Sequence, residues 1–259
     1  MTVGNTKRYL LHIAYFGVNY SGWQIQKNAK SVQGLIMNAL HLLVNNKIEL
    51  MVGAGRTDAK VHAVNFFAHF DMPDSQDLTM SYLELTHRLN NFLPDDVVVY
   101  TVKPVAINFH ARFTAKSRRY EYWISTKKSP FLINKAYVFS KFLNIDIMNQ
   151  GCNLLIGKKD FVSFSKSKLI NNICNVSSAY FFKSEDLIIF SIQSDRFLYN
   201  MVRCIVGTLI DLGLGKIQLQ DLKSLIDSKN RTKSGCSVPA FGLYLMNINY
   251  PQKYSIENV

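Results

Sequence analysis

The predicted strands and helices follow the same order in the two halves of this 259-residue chain. In the first half, apolar alternation and β-rich runs predict four strands, at residues 8–16, 48–52, 61–70 and 97–102. Two helices are predicted, the first capped by Ser31, at residues 32–43 and 78–91. This β-α-β-β-α-β order is that of the ferredoxin-like unit. The first half therefore predicts a mixed α/β fold.

The second half repeats this order without repeating its letters. Its strands are predicted at residues 116–125, 176–182, 187–192 and 241–248, the middle two forming a hairpin around Ser184–Asp186. Its helices are predicted at residues 146–156, 196–212 and 219–227. We therefore predict two ferredoxin-like halves, residues 1–105 and 106–259, joined at a turn-rich stretch near residues 104–109.

A glycine-rich turn, residues 53–63, lies between two predicted strands of the first half. Its glycines permit backbone angles closed to other residues and a close approach by another molecule. In an extended segment Arg56 and Asp58 share one side, where the guanidinium would keep the carboxylate ionised. A strand follows the turn, so it is not a dinucleotide-binding loop, which opens a helix. The alternative is a surface loop with an incidental ion pair.

Positive charge is concentrated in two stretches of the chain, which carries 30 Lys and Arg against 18 Asp and Glu. Residues 112–128 hold six basic side chains and one acid, interleaved with aromatic rings, and residues 158–168 hold four and one. Lysine and arginine clusters are typical of phosphate binding, and aromatic rings stack on unpaired bases. The alternative is a solvated basic face with its rings in the core. Strand alternation places Tyr120 and Tyr122 on one side.

One charge interrupts the apolar helix predicted near the C-terminal end. Arg203 is the only charged residue between Phe197 and Ile210. A buried lone charge is costly without a partner. Arg203 either pairs or snorkels for structural reasons, or it points toward Asp58 in a cleft between the halves.

The composition favours a soluble globular protein, with 48% hydrophobic residues. The sequence has no apolar run of about 18 residues and no signal-peptide pattern, so we expect it in the cytoplasm, with no membrane partner. The four cysteines lack a Cys-x-x-Cys pair, which argues against zinc and favours buried reduced thiols. No nucleotide or flavin fingerprint is present. We therefore expect neither a metal nor a small-molecule cofactor.

Residues Gly55–His62 resemble the catalytic motif of the A-type tRNA pseudouridine synthases, Gly-Arg-Thr-Asp-Ala-Gly-Val-His. Seven of the eight letters match, and Lys60 stands where the family usually has glycine. Four further segments resemble that family in the same order, namely Tyr15–Gln24, Phe109–Tyr120, Met201–Gly207 and Gly242–Leu245. Five ordered motifs spread over most of the chain make the resemblance specific.

The resemblance implies a pseudo-symmetric fold of two halves around a central RNA-binding cleft. It implies isomerisation of uridine to pseudouridine at positions 38, 39 and 40 of the tRNA anticodon stem-loop, by a homodimer. Asp58 would be the catalytic residue, Tyr120 would pack on the target base, and Arg56 would hold the flipped-out nucleotide. Arg203 would pair with Asp58. We expect RNA contacts from Lys60, His62, Arg112, Lys116, Arg118 and Arg119.

Two alternatives stay open from the sequence. The first is a tRNA-binding protein without catalysis, against which Asp58 argues, because a binder of phosphates gains nothing from an acid in its basic cleft. The second is the same chemistry on another RNA. Lys60 keeps this second alternative open, since it changes charge and backbone freedom beside the catalytic carboxylate.

Overall fold

The computed structural model describes residues 6–44, 48, 50–73, 80–166 and 171–256, without the side chain of residue 233. The chain forms two compact units. Unit 1 comprises residues 1–116 and 245–259, and unit 2 comprises residues 117–244. These limits differ from the predicted halves of 1–105 and 106–259, because residues 106–116 and the end of the last strand both belong to unit 1.

Unit 1 contains four strands and two helices of its own. They are β1 (Thr6–Tyr15), α1 (Val32–Val44), β2 (Met51–Gly53), β3 (His62–Pro73), α2 (Tyr82–Phe92) and β4 (Val97–Val105). The strands pair antiparallel in the order β4-β1-β3, with β2 alongside the far end of β3. This 4-1-3-2 arrangement is that of a ferredoxin-like unit, as the sequence predicted.

Side-chain caps and buried apolar faces explain where the helices of unit 1 lie. The Ser31 hydroxyl accepts a hydrogen bond from the Gly34 amide, as expected for the cap of α1. Ser81 caps α2 in the same way, accepting from the Glu84 amide. The core of the unit contains Leu10, Leu11, Ile13, Phe66, Phe67 and Phe70, each at most 1% exposed.

Unit 2 has the same order with additions. It contains β5 (Ser117–Ser125), β6 (Tyr137–Val138), α3 (Ile145–Asn153), β7 (Gly157–Asp160), β8 (Ile173–Ser184), β9 (Leu187–Ser194), α4 (Met201–Gly213) and α5 (Leu219–Ser228). Its sheet order is β5-β9-β8-β7, and β6 runs parallel to β5. The last strand, β10 (Leu243–Asn249), is divided between the two units.

The α/β fold class is confirmed, and three local predictions need correction. Helix α4 begins at Met201 and not at residue 196, because Asn200 before it has a left-handed backbone with φ 65°. Cys152, Cys174 and Cys204 are buried as predicted, whereas Cys236 is exposed. The strand predicted at 48–52 is observed as Met51–Gly53, and residue 49 of the predicted strand lies outside the described residues. The first two residues of the helix predicted at 78–91 also lie outside them. Every helix in the described ranges is too short or too polar to span a lipid bilayer.

Candidate active site

Asp58 lies in the loop that connects β2 to β3, which we call the 54–61 loop. Backbone hydrogen bonds fix it at both ends, from the Ala54 amide to the Phe67 carbonyl at 2.8 Å and from the Val61 amide to the Asp58 carbonyl at 3.2 Å. The Lys60 amide donates to the Tyr20 carbonyl, also at 3.2 Å. The loop therefore has a defined backbone conformation that presents Asp58.

Two glycines that precede α1 hold the 54–61 loop by close backbone contact. A Cβ added at Gly22 would overlap the Thr57 carbonyl oxygen and lie 3.1 Å from the Asp58 carbonyl carbon, and the φ of Gly22 is +96°. A Cβ at Gly17 would overlap the Val61 carbonyl oxygen. Only glycine allows two backbone segments to approach this closely. The backbone at Asp58 is therefore positioned by a segment about forty residues earlier in the chain.

Buried side chains also hold the 54–61 loop in place. The hydroxyls of Tyr15 and Thr57 are hydrogen-bonded at 2.8 Å, and both residues are buried. His62 is 1% exposed, its Nδ1 accepts from the Gly17 amide at 3.0 Å, and its ring stacks on Phe16 at 4.2 Å. A role in holding the loop fits His62 better than the RNA contact expected from the sequence.

The charged side chains of the loop differ in exposure. Asp58 is half-buried, whereas Arg56 and Lys60 are exposed. Lys60 has a φ of 68°, in the left-handed region that favours glycine. A lysine at this position has either a negative φ or a strained backbone, and the structure shows the strained one. The lysine thus occupies the backbone conformation for which the family's usual glycine is suited.

Arg112 and Lys116, also in unit 1, are exposed and follow a firmly anchored segment. Arg8 donates to the Phe109 carbonyl at 2.6 Å, and the Ala111 amide donates to His69 Nδ1 at 3.1 Å. Burial, reinforced by the nearby Arg8, lowers the pKa of His69 to about 4. His69 is therefore neutral at pH 7 and available as an acceptor for this anchor.

Unit 2 presents three of the predicted RNA-binding and substrate residues on one strand. Arg118, Arg119 and Tyr120 are half-buried on β5. The Tyr120 ring makes an edge contact with Phe197, with centroids 5.1 Å apart. Arg118 donates to the Asp195 carbonyl at 2.8 Å, and Arg119 pairs with Glu121 at 2.8 Å. Tyr122 on the same strand face is fully buried, so of these two rings Tyr120 has the accessible surface.

Arg203 lies on the first turn of α4, among residues that are otherwise buried. Its side chain is half-buried, and its Nε donates to the Val238 carbonyl at 2.8 Å. This bond uses one of the five guanidinium donors and fixes the direction of the side chain.

Within the described ranges, no three His, Cys, Asp or Glu side chains form a group that could hold a metal ion.

The prediction from sequence missed the residues that hold the loop, namely Tyr15, Gly17 and Gly22. The available signal was the Tyr15–Gln24 motif, which contains all three. That motif resembles the family's opening strand and turn, but its sequence does not indicate that its backbone contacts the 54–61 loop.

Comparison with known proteins identifies the class to which this site belongs. A model of the tRNA pseudouridine synthase family matches residues 152–251. A tRNA pseudouridine synthase A of Azobacteroides pseudotrichonymphae is 44% identical over 94% of this chain and 97% of its own length. Those of Parabacteroides distasonis and Thermoanaerobacter sp. are 41% and 40% identical, over 95% and 93% of this chain and 97% and 98% of theirs. A solved archaeal Nop10–Cbf5 complex aligns at 10% identity, covering 86% of this chain and 59% of that one, with a TM-score of 0.34, too low to add to this.

The chain therefore belongs to the tRNA pseudouridine synthase A family. Pseudouridine synthases are isomerases, so the protein is an enzyme of that class, with tRNA as the substrate supported by the family.

Proposed function

We propose that this enzyme converts uridine to pseudouridine at positions 38, 39 and 40 of the tRNA anticodon stem-loop, with Asp58 as the catalytic residue. The observation that carries the proposal is the support of Asp58. Asp58 is a half-buried carboxylate on a loop whose backbone is in close contact with Gly22. The preceding residue, Thr57, is hydrogen-bonded to Tyr15. A loop that served only as a connection would not need such close backbone packing.

The chemistry of the isomerisation fits a single carboxylate. The bond between C1′ of the ribose and N1 of uracil breaks, the base turns, and C1′ bonds to C5. The C5 proton leaves to solvent and N1 gains a proton, so no electron donor or acceptor is required. As in glycoside hydrolysis, bond breaking at the anomeric carbon is helped by a nearby carboxylate. Asp58 can attack the sugar, attack the base or remove a sugar proton.

Three side chains are proposed to position the target nucleotide around Asp58. Extruding a base from a stem costs a few kcal/mol, so the extruded nucleotide needs a site that holds it. We assign Tyr120 to pack on the target base and Arg56 to hold the flipped-out nucleotide. Arg203 is assigned to pair with Asp58.

The rest of the tRNA is bound through phosphates. Exposed or half-buried basic side chains suited to this are Lys60, Arg112, Lys116, Arg118 and Arg119. The formal net charge of +12 predicts attraction to a polyanion over a longer range. We further propose that the enzyme acts in the cytoplasm as a homodimer that binds one tRNA across both subunits.

The decisive experiment measures tritium release from unmodified tRNA labelled at C5 of uridine, followed by mapping of the product position. We expect release without added metal or cofactor, and pseudouridine at positions 38 to 40. A matched tRNA with cytidine at these positions should give none. Release from another RNA but not from tRNA would support the second alternative. Binding of tRNA with no release from any RNA would support the non-catalytic one.

A further inference from the structure

The loop of residues 126–142, which follows β5 in unit 2, combines exposed aromatic side chains with lysines. Two of its three phenylalanines, Phe131 and Phe142, are 82% and 86% exposed. Ile133 and Val138 are also exposed. The loop contains four lysines, at positions 127, 128, 135 and 141, and no Asp or Glu. All four lysines are exposed.

The backbone of the 126–142 loop is held by hydrogen bonds, so the exposure of its apolar side chains is not the result of an unattached loop. The Phe139 amide donates to the Ser125 carbonyl at 2.8 Å, and the Tyr244 hydroxyl donates to the Lys135 carbonyl at 2.8 Å. Ser129 caps a short 3₁₀ turn that carries Phe131. Ala136 is buried and ties the loop to the unit. Phe131 and Phe142 are therefore exposed on a loop whose backbone is ordered.

We propose that the 126–142 loop is a second RNA-contact surface, where Phe131 and Phe142 stack on unpaired bases and the lysines bind the adjacent phosphates. Aromatic rings interleaved with lysines suit an unstacked nucleotide, because the rings stack on its base and the lysines bind its phosphate. A second copy of this chain fits less well, since a two-fold contact would bring eight lysines together and neither loop contains an acid, while the nearby Asp186 already pairs with Lys127 of its own copy. The inference rests on tRNA as the substrate, and not on which position is modified.

The loop lies at a distance from the proposed target site. Tyr120 and Ser125 are on the same strand of unit 2, and a strand rises about 3.3 Å per residue, so they are about 17 Å apart. This distance exceeds the span of one nucleotide. The loop therefore contacts RNA that is not reacting, and it contributes to binding and leaves the chemical step unchanged.

The test compares the Phe131→Ala/Phe142→Ala double variant with Leu83→Ala, an apolar side chain in unit 1 that is also 82% exposed. We expect the double variant to raise the Kd and KM for full-length unmodified tRNA at least fivefold, with kcat within twofold. Loss of one base stack, worth about 1 kcal/mol or more, gives this factor. Leu83→Ala should change nothing. Sedimentation velocity on each protein reports its oligomeric state.

A second variant tests the charge without removing the rings. Lys128→Ala/Lys135→Ala should lower the slope of log affinity against log salt by about 1 to 2, since each phosphate contact contributes about 0.7 to 0.9. Lys223→Ala on α5 is the control. Unchanged tRNA affinity in both double variants would overturn the proposal. So would a loss of self-association with unchanged affinity per protomer, which would identify the loop as a protein interface. Failure of the position assignment would instead appear in the mapped product of the unaltered enzyme.

Discussion

The two units place very different connections at the same point of the same β-α-β-β-α-β order. In unit 2, β8 and β9 are joined by the two residues Glu185 and Asp186. In unit 1, β2 and β3 are joined by the eight residues of the 54–61 loop. Asp186 is 67% exposed and pairs with Lys127 at 3.0 Å, whereas Asp58 is half-buried on a loop held by glycine contacts. The two units share the position of this connection, and the longer connection of unit 1, held by glycine contacts, is the one on which we propose a catalytic carboxylate.

The largest expected effect separates these two aspartates. Asp58→Asn keeps the size of the side chain but removes its charge, nucleophilicity and basicity. We expect no detectable pseudouridine, with tRNA affinity within about tenfold of the original, or roughly 1.4 kcal/mol. Asp186→Asn should keep full activity, because an exposed ion pair contributes little. Tritium release and filter binding measure both. Activity of Asp58→Asn at even a tenth of the original would refute the catalytic assignment.

The next largest effect tests the glycine clamp. Gly22→Ala and Gly157→Ala both place alanine at a positive φ, 96° and 101°, but only the first Cβ would overlap another backbone segment. We expect Gly22→Ala to cost about 1–3 kcal/mol more in unfolding free energy, from overpacking. Its kcat should fall about a hundredfold, as expected for small displacements of a catalytic group. Urea unfolding and single-turnover kinetics measure these effects. Equal behaviour of the two variants would show that the contact does not position Asp58.

These two regions also show what the sequence could predict. The strands around the 54–61 loop and the hairpin at Glu185–Asp186 follow from local alternation and turn residues, which act between near neighbours. The contact between Gly22 and Thr57 could not be predicted in this way, because the two residues are 35 positions apart in the sequence and are brought together by the tertiary fold. The predicted start of α4, residue 196, precedes the observed start at Met201 for a related reason. Apolar periodicity continues through Phe197 and Leu198, whereas Asn200 takes a left-handed conformation that periodicity does not report.

A smaller effect concerns the dependence of stability on pH. It should distinguish the two units, because all six histidines lie in the sequence of unit 1. Burial lowers the pKa of His69 from 6.5 to about 4. Below pH 6.5 the unfolded chain takes up a proton that folded His69 does not accept until about pH 4. The contribution to stability is therefore complete above pH 6.5 and declines as pH falls toward 4.

Urea unfolding at pH 7.5 and pH 5 measures this decline. His69→Asn retains an acceptor for the Ala111 amide but cannot titrate, so its stability should depend less on pH. The control, His87→Asn on the exposed side of α2, should keep the original dependence. If His69→Asn also keeps it, His69 is not the group responsible.

The smallest effect compares two strained lysines, Lys60 of the 54–61 loop and Lys229 after α5, with φ of 68° and 49°. Glycine removes a left-handed strain of about 1–2 kcal/mol but loses about 0.5–1 kcal/mol of backbone entropy. We therefore expect Lys60→Gly and Lys229→Gly each to raise stability by up to about 1 kcal/mol, with catalysis retained. Only Lys60→Gly should weaken tRNA binding, lowering the salt slope by about 0.9, the value of one phosphate contact. Equal losses of affinity in both variants would show that Lys60 contributes only net charge, and loss of folding in Lys60→Gly would show that the lysine is structural.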